Sequence, residues 1–223
     1  MVGRLLHLTN IRPDISFVVQ QLSQFVSSRR EPHMQQALLI IRYLKNAPGY
    51  GLLYKSNTSF KIQAFSDSDW ATCATTRRFV SGHCVFLGTS LVAWKSKKQT
   101  TVSRSSSEAE YRALASLACE LQWIQYLFQD LHFSVPTPYT AYCDNNYAIH
   151  IVKNPTFHKR TKHIELDCHI IRQKLVDGLI HLLHVPSRSQ LADMFTKSLH
   201  SSTFRVATSK LGLYNLHAHF EKG

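Results

Sequence analysis

Acid is scarce in this chain: 14 Asp and Glu stand against 26 Lys and Arg in 223 residues, a formal net charge of +12 that leaves out the 13 histidines. A basic excess of that size favours polyanionic partners, nucleic acid first and an acidic membrane surface second. Long apolar runs are missing too. No stretch approaches the ~18 residues that a membrane span needs. The opening MVGRLLHLTNIRPD is too briefly apolar for a secretion signal, with Asp14 following soon after. Cys73, Cys84, Cys119, Cys143 and Cys168 are odd in number, widely spaced and never form a C-x-x-C pair. That pattern argues against a disulfide framework and a zinc ribbon, and points to a reducing compartment, cytoplasmic or nuclear. A G-x-S-x-G elbow is absent as well, which sets aside a serine hydrolase of that type.

What is present reads as an ordinary globular composition, 44% hydrophobic and 18% charged. Ile15, Val18, Val19, Leu22 and Phe25/Val26 fall at helical spacing over 14–28, with Pro13 at the opening turn. A second helix is expected over 31–46, between Pro32 and Pro48-Gly49. Two such amphipathic helices must bury their faces on something else. After Gly49 the pattern changes to strand-like runs: GLLY (51–54), FKIQAFSD (60–67), GHCVFLG (82–88) and LVAWKS (91–96). A long helix over about 104–131 follows, then a strand at 139–144, a short helix from Asn145 and a helix near 163–176. A strand at 179–185 and a last helix over 189–199 complete the pattern. An antiparallel meander followed by alternating helices and strands predicts an α/β fold with a mixed sheet flanked by helices. Nothing distinctive is read after about residue 200.

The long helix holds the sharpest chemical clue. Ala113, Leu114, Leu117, Leu121, Ile124 and Phe128 form an apolar stripe, and Glu110 continues it, whereas Glu108 and Glu120 lie off it. A carboxylate in line with a buried face is costly unless something pairs with it, although a negative charge near a helix start is also favoured by the dipole. Asp67 and Asp144 each end an apolar strand, where Asp commonly serves as a turn former or helix cap. Brought together at one end of a sheet, these acids would repel one another unless they surrounded cations. Oxygen-only ligation suits Mg²⁺ or Mn²⁺ rather than zinc.

YLKNAPGYGLLY, FSDSDWA, SSSEAEYRALA, YCDNNYAIHI, RTKHIELDCHIIR and HVPSRSQLADMFTKSL together resemble the C-terminal part of copia-type retrotransposon Pol polyproteins over almost the whole chain. The resemblance implies a ribonuclease H-like domain at 59–200, a five-stranded mixed sheet flanked by helices that cuts the RNA strand of RNA–DNA hybrids to leave 3′-hydroxyl and 5′-phosphate ends. Residue by residue it implies Asp67, Glu110, Asp144 and Asp193 as catalytic acids and metal ligands, with Asp69 the competitor of Asp67 because the two share a strand face. Asp193 lies off the Leu191/Met194/Phe195/Leu199 face and also reads as a solvated helix-start charge. His184 resembles a histidine assisting product release, against the plainer reading of a structural residue at a strand end. VGRLLHLTNIRPDISF, continuing to YLKN, resembles the end of a reverse transcriptase, so residues 1–58 are expected to be a helical extension from its thumb or connection. Residues 201–223 are expected to be a C-terminal tail. A Y-x-D-D polymerase motif is absent. The alternative is a catalytically silent nucleic-acid-binding remnant lacking its polymerase half; a protein-interaction domain is a third class.

Six basic residues (Arg77, Arg78, Lys95, Lys97, Lys98 and Arg104) occur between 77 and 104 without an acid among them, and Lys153, Lys159, Arg160 and Lys162 form a second cluster. Such residues position a duplex through its phosphates, and the Ser/Thr run including Ser105 and Ser106 could add hydroxyl contacts. A solvated basic surface is the competing reading. The expected partners are an RNA–DNA hybrid and the upstream reverse transcriptase, with no membrane. A zinc site at His158, His163, Asp167, Cys168 and His169 lacks a second ligand pair, and a capped amphipathic helix accounts for those residues better.

Overall fold

The computed structural model describes residues 1–56, 59–70, 76–154 and 165–215. Its main sheet contains β2 (Ile62–Asp69), β3 (Val80–Leu87), β4 (Ser90–Lys98), β5 (Tyr139–Cys143) and β6 (Ile180–His184) in the spatial order β4-β3-β2-β5-β6. β2, β3 and β4 form the antiparallel meander, and β5 and β6 add in parallel. The sheet is therefore the mixed, five-stranded one that the resemblance implied. Parallel addition requires helical crossovers. They are α4 (Ser106–Asp130) between β4 and β5, and α5 (Asn146–Lys153) with α6 (Glu165–Val176) between β5 and β6.

Alternation along β2 divides the core in two. Ile62 and Ala64 join Val85, Ala141 and Leu182 under the α4 stripe of Leu114, Leu117, Leu121 and Ile124. Phe65 faces the other way, toward a second cluster of Cys84, Phe86, Leu91, Met194, Phe195, Ala207, Leu211 and Leu213. Ser105 caps α4, accepting from the Glu108 N–H at 3.2 Å, while the Glu108 carboxylate accepts from the Arg104 N–H at 2.8 Å. Glu108 also pairs with Arg112 one turn on at 3.0 Å. It is as buried as Glu110 but is consumed by helix initiation.

Three features differ from the sequence expectation. GLLY, which falls in the segment expected to be a helical extension, forms a strand there: β1 (Tyr50–Leu52) pairs antiparallel with β7 (Leu213–Asn215), which follows α7 (Ser201–Lys210). Residues read as featureless thus form a helix and a strand, because their partner lies some 160 positions away and leaves no local periodicity. The region expected as a last helix over 189–199 is two 3₁₀ turns, Ser187–Ser189 and Leu191–Phe195. Side chains compete with the backbone there: Gln190 accepts from Ala192 N–H, and Thr196 donates to the Asp193 carbonyl. An unforeseen helix, α1 (Val2–Leu8), precedes α2 (Ser16–Ser23). α3 (Glu31–Asn46) has the expected bounds.

α1, α2 and α3 enclose their own small core of Leu5, Ile15, Val19, Leu22, Ala37 and Ile40. They dock on β4 through Trp94 Nε1, which donates to Thr9 O at 2.9 Å, and Lys98 Nζ, which donates to Gln24 Oε1 at 2.7 Å. Met34, Leu38 and Leu39 on α3 remain exposed. A buried ion pair fixes the hinge between α1 and α2: Arg12 donates to both oxygens of Asp14 at 3.0 and 2.7 Å, and the Tyr43 hydroxyl donates to Asp14 at 2.6 Å. The Arg12 and Asp14 side chains are 6% and 0% exposed. Arg12→Ala would strand that carboxylate, and it is expected to cost about 3–5 kcal/mol in urea unfolding, against about 1 kcal/mol for Tyr43→Phe. Equal small losses would show that the pair is solvated.

Candidate active site

The acids singled out from the sequence gather where β2 and β5 end beside the start of α4. Asp67 lies on the Phe65 face of β2 and is 2% exposed, while Asp69 is half-buried at the strand's last position. Asp67 Oδ2 accepts from the Thr196 hydroxyl and lies 3.7 Å from Lys197 Nζ. Burial pushes its pKa up to about 7; Lys197 and the Thr196 hydroxyl oppose the rise, and Asp193 and Asp144 add to it. Glu110 enters from α4, 5% exposed, and its Oε1 accepts from the Ser68 N–H at 3.1 Å. Its pKa is raised well above the usual carboxylate range, by burial first and then by Asp67 and Asp144. Asp144, half-buried just after β5, accepts from Ser187 Oγ at 2.9 Å. Asp193 comes from the 3₁₀ turn and sits 2.9 Å from Lys197 Nζ. Burial also raises the Asp193 pKa, and the lysine opposes it.

A buried acid cluster of this kind fits hard cations. Glu110, Cys143 and Asp144 each place one ligand atom within 4.8 Å of the others. Burial and then Glu110 push the pKa of the Cys143 thiol well up, and its soft sulfur suits a hard cation poorly. The remaining donors are carboxylate oxygens, which suit Mg²⁺ or Mn²⁺.

Sequence reasoning missed the residues that complete the cluster. Gly82 is the β3 partner of Asp67. A Cβ there would lie 2.6 Å from Phe195 Cβ and 2.9 Å from Thr196 Cγ2. Only glycine lets the 3₁₀ segment press onto the sheet and bring Thr196 and Lys197 to Asp67. Gln190 pins the same segment by donating to Ser66 O at 3.0 Å. The available signal was spacing: Thr196 and Lys197 stand three and four positions after Asp193.

The basic residues are dispersed. Arg77, Arg78 and Arg104 are exposed. Lys95 and Lys97 are exposed on one face of β4, and Lys98 reaches the opposite face, where Gln24 holds it. Ser106 is exposed, and Ser105 is occupied as the cap of α4. His184 is exposed at the end of β6, across from Cys143. Lys159, Arg160 and Lys162 of the second basic cluster, and His158 and His163 of the zinc reading, lie outside the described residues. Among the described residues no helix is long and apolar enough to cross a membrane.

Sheet order and acid placement define a ribonuclease H-like domain carrying a candidate metal centre. No family model matches the chain. It is similar to the retrovirus-related Pol polyprotein from transposon RE1 of Arabidopsis thaliana, 41% identical over 213 residues, which is 96% of this chain. It is 39% identical over 213 residues, again 96% of the chain, to the Pol polyprotein from transposon RE2 of the same plant. The chain spans only 14% and 15% of those two proteins. Among solved structures it is similar to the N-terminal RNase H domain of a Mycobacterium tuberculosis protein fused to maltose-binding protein, at 15% identity, covering 68% of this chain and 98% of that one with a TM-score of 0.47. Over almost its whole length the chain is thus similar to a segment of retrovirus-related Pol polyproteins from transposons.

Two predictions test this geometry. A carboxylate whose folded pKa is raised favours the folded state below its unfolded value of about 3.9. For Asp67 that contribution is lost as the pH rises toward about 7. The metal-free protein should therefore lose stability across this window, and Mg²⁺ or Mn²⁺ should restore more at about pH 8 than at about pH 5. Thermal melts with and without metal measure this, and equal metal shifts at both pH values would refute it. Gly82→Ala should cost about 1–3 kcal/mol by overpacking, and the loss of the Thr196–Asp67 contact should appear as altered metal stabilisation in the same melts.

Proposed function

We propose that this domain hydrolyses the RNA strand of RNA–DNA hybrids by a two-metal mechanism, with Asp67, Glu110, Asp144 and Asp193 as its metal-binding catalytic acids. The observation that supports it most is the convergence of these four carboxylates, carried by four separate elements, at one end of the sheet. Mg²⁺ or Mn²⁺ held by these acids would supply activation of a water and charge stabilisation for the leaving oxygen. The chain's own part is positioning. The Ser68 N–H fixes one oxygen of Glu110, Ser187 fixes Asp144, and Thr196 fixes Asp67. Rotamers held in this way keep ligand oxygens in place without reorganisation during reaction.

Arg77, Arg78, Arg104, Lys95 and Lys97 would take the phosphates of the hybrid, with Ser106 adding a hydroxyl contact. Ser105 caps α4 by accepting from the Glu108 N–H, which leaves the proton of its hydroxyl to donate to a phosphate. Lys98 contributes by holding α2 against β4. The exposed side of α3 is the surface on which the upstream reverse transcriptase would pack, and a role of His184 in product release stands against the plainer one of a structural residue at the end of β6.

A catalytically silent binding domain is the second reading, favoured by one observation: the Lys197 ammonium lies between two of the acids. Cleavage of a labelled RNA–DNA hybrid in Mg²⁺, beside Glu110→Gln, separates the two. Metal-dependent cutting of the RNA strand that falls at least ~10²-fold in the variant is the expected result for a group that stabilises charge in the transition state. Salt-sensitive binding without cutting by the unaltered protein would establish the second reading.

A further inference from the structure

Two acids of the cluster are already bridged by a cation that belongs to the chain. Lys197 Nζ sits 2.9 Å from Asp193 Oδ1 and 3.7 Å from Asp67 Oδ2. The Thr196 hydroxyl donates to the same Asp67 oxygen. On the other side, Glu110 and Asp144 bring ligand atoms within 4.8 Å of each other and make no ion pair among the described residues, although the Lys197 charge also acts on Asp144 from farther away. The four acids thus form two unlike poles. At the Glu110/Asp144 pole no side-chain cation forms an ion pair among the described residues. At the Asp67/Asp193 pole a tethered ammonium provides one, its side chain 38% exposed against 4% and 17% for the two acids.

We propose that Lys197 is a displaceable counter-cation that holds the Asp67/Asp193 pole in the metal-free protein and competes with the second divalent ion for it. This rests on the metal-binding reading of the four acids. One ammonium neutralises one charge where two carboxylates meet, so a divalent ion that takes its place neutralises both. The lysine stem can leave without breaking the core, because it is one of the cluster's more exposed members and its neighbour Thr196 keeps its own bond to Asp67. Occupancy is then sequential: the open pole fills first, and the second ion enters only by expelling Lys197. Lys197 is a positioning residue in this scheme, acting through Asp67 and Asp193.

The test is calorimetric titration with Mn²⁺ of the unaltered chain, Lys197→Met, Lys197→Arg and Glu110→Gln. In the unaltered chain a tighter and a weaker binding event are expected. Lys197→Met should tighten the weaker event about tenfold, as for removal of a close competing charge, whereas Lys197→Arg should leave it near the original value. Unchanged or weaker binding in Lys197→Met, with Glu110→Gln still weakening the tighter event, would overturn this inference and leave the metal-binding reading standing. No effect of Glu110→Gln on Mn²⁺ binding would overturn both. A measurement on the unaltered chain covers the case in which Lys197→Met does not fold: the Lys197 Cε–Hε NMR resonance should move during the second stage of a Mg²⁺ titration, and a resonance that stays still through saturation would overturn the inference.

Discussion

Negative charge packed against negative charge, out of water, is the constraint on which the rest of this structure depends. Asp67 and Glu110 are nearly fully buried; Asp144 is close enough to raise the affinity of both for protons, and Asp193 that of Asp67. Left alone, such a cluster works against folding. Its surroundings are arranged to tolerate it: a backbone N–H on Glu110, hydroxyls on Asp67 and Asp144, and one ammonium shared by Asp67 and Asp193. None of these neutralises the whole. An unfavourable cluster kept amid so many hydrogen bonds is what the proposed metal-binding role would require.

The close approach that delivers Thr196 and Lys197 depends on the absence of a single carbon atom. Gly82 lies in the middle strand of the meander, beside Asp67, and its missing Cβ is the space into which Phe195 and Thr196 press. The 3₁₀ turn, the Gln190 clamp and the second core cluster all follow that contact. The floor and the lid of the acid cluster are therefore one packing unit.

Much of this was legible in the residues. The α4 stripe selected Glu110 because helical periodicity is local and strong, and the structure buries that carboxylate with the stripe. The strands and crossovers around it followed from alternation, length and turn residues. Legibility ended where partners were remote. Tyr50–Leu52 carries strand propensity without saying which strand it meets, and its partner lies at the far end of the described chain. Residues 189–199 contain an apolar pattern compatible with a helix, but side-chain bonds from Gln190 and Thr196 and the pressure of the sheet hold them in 3₁₀ turns. The choice between Asp67 and Asp69 was open on strand parity; burial and the Thr196 bond distinguish the two environments without touching parity. The basic run looked like one surface in sequence, yet strand alternation sends Lys98 to the side opposite Lys95 and Lys97.

The second face of the sheet has a consequence for synthesis. Cys84, Phe86 and Leu91 are covered by Met194, Phe195, Ala207, Leu211 and Leu213, and Tyr50 waits for Asn215. Within this chain those covering residues follow every strand of the main sheet, so a ribosome delivers them after it, at about 5–20 residues per second. Until they arrive that side of the sheet has no cover, and Asp67 has neither its hydroxyl nor its ammonium. The residues that complete the acid cluster are thus the ones that close the second core.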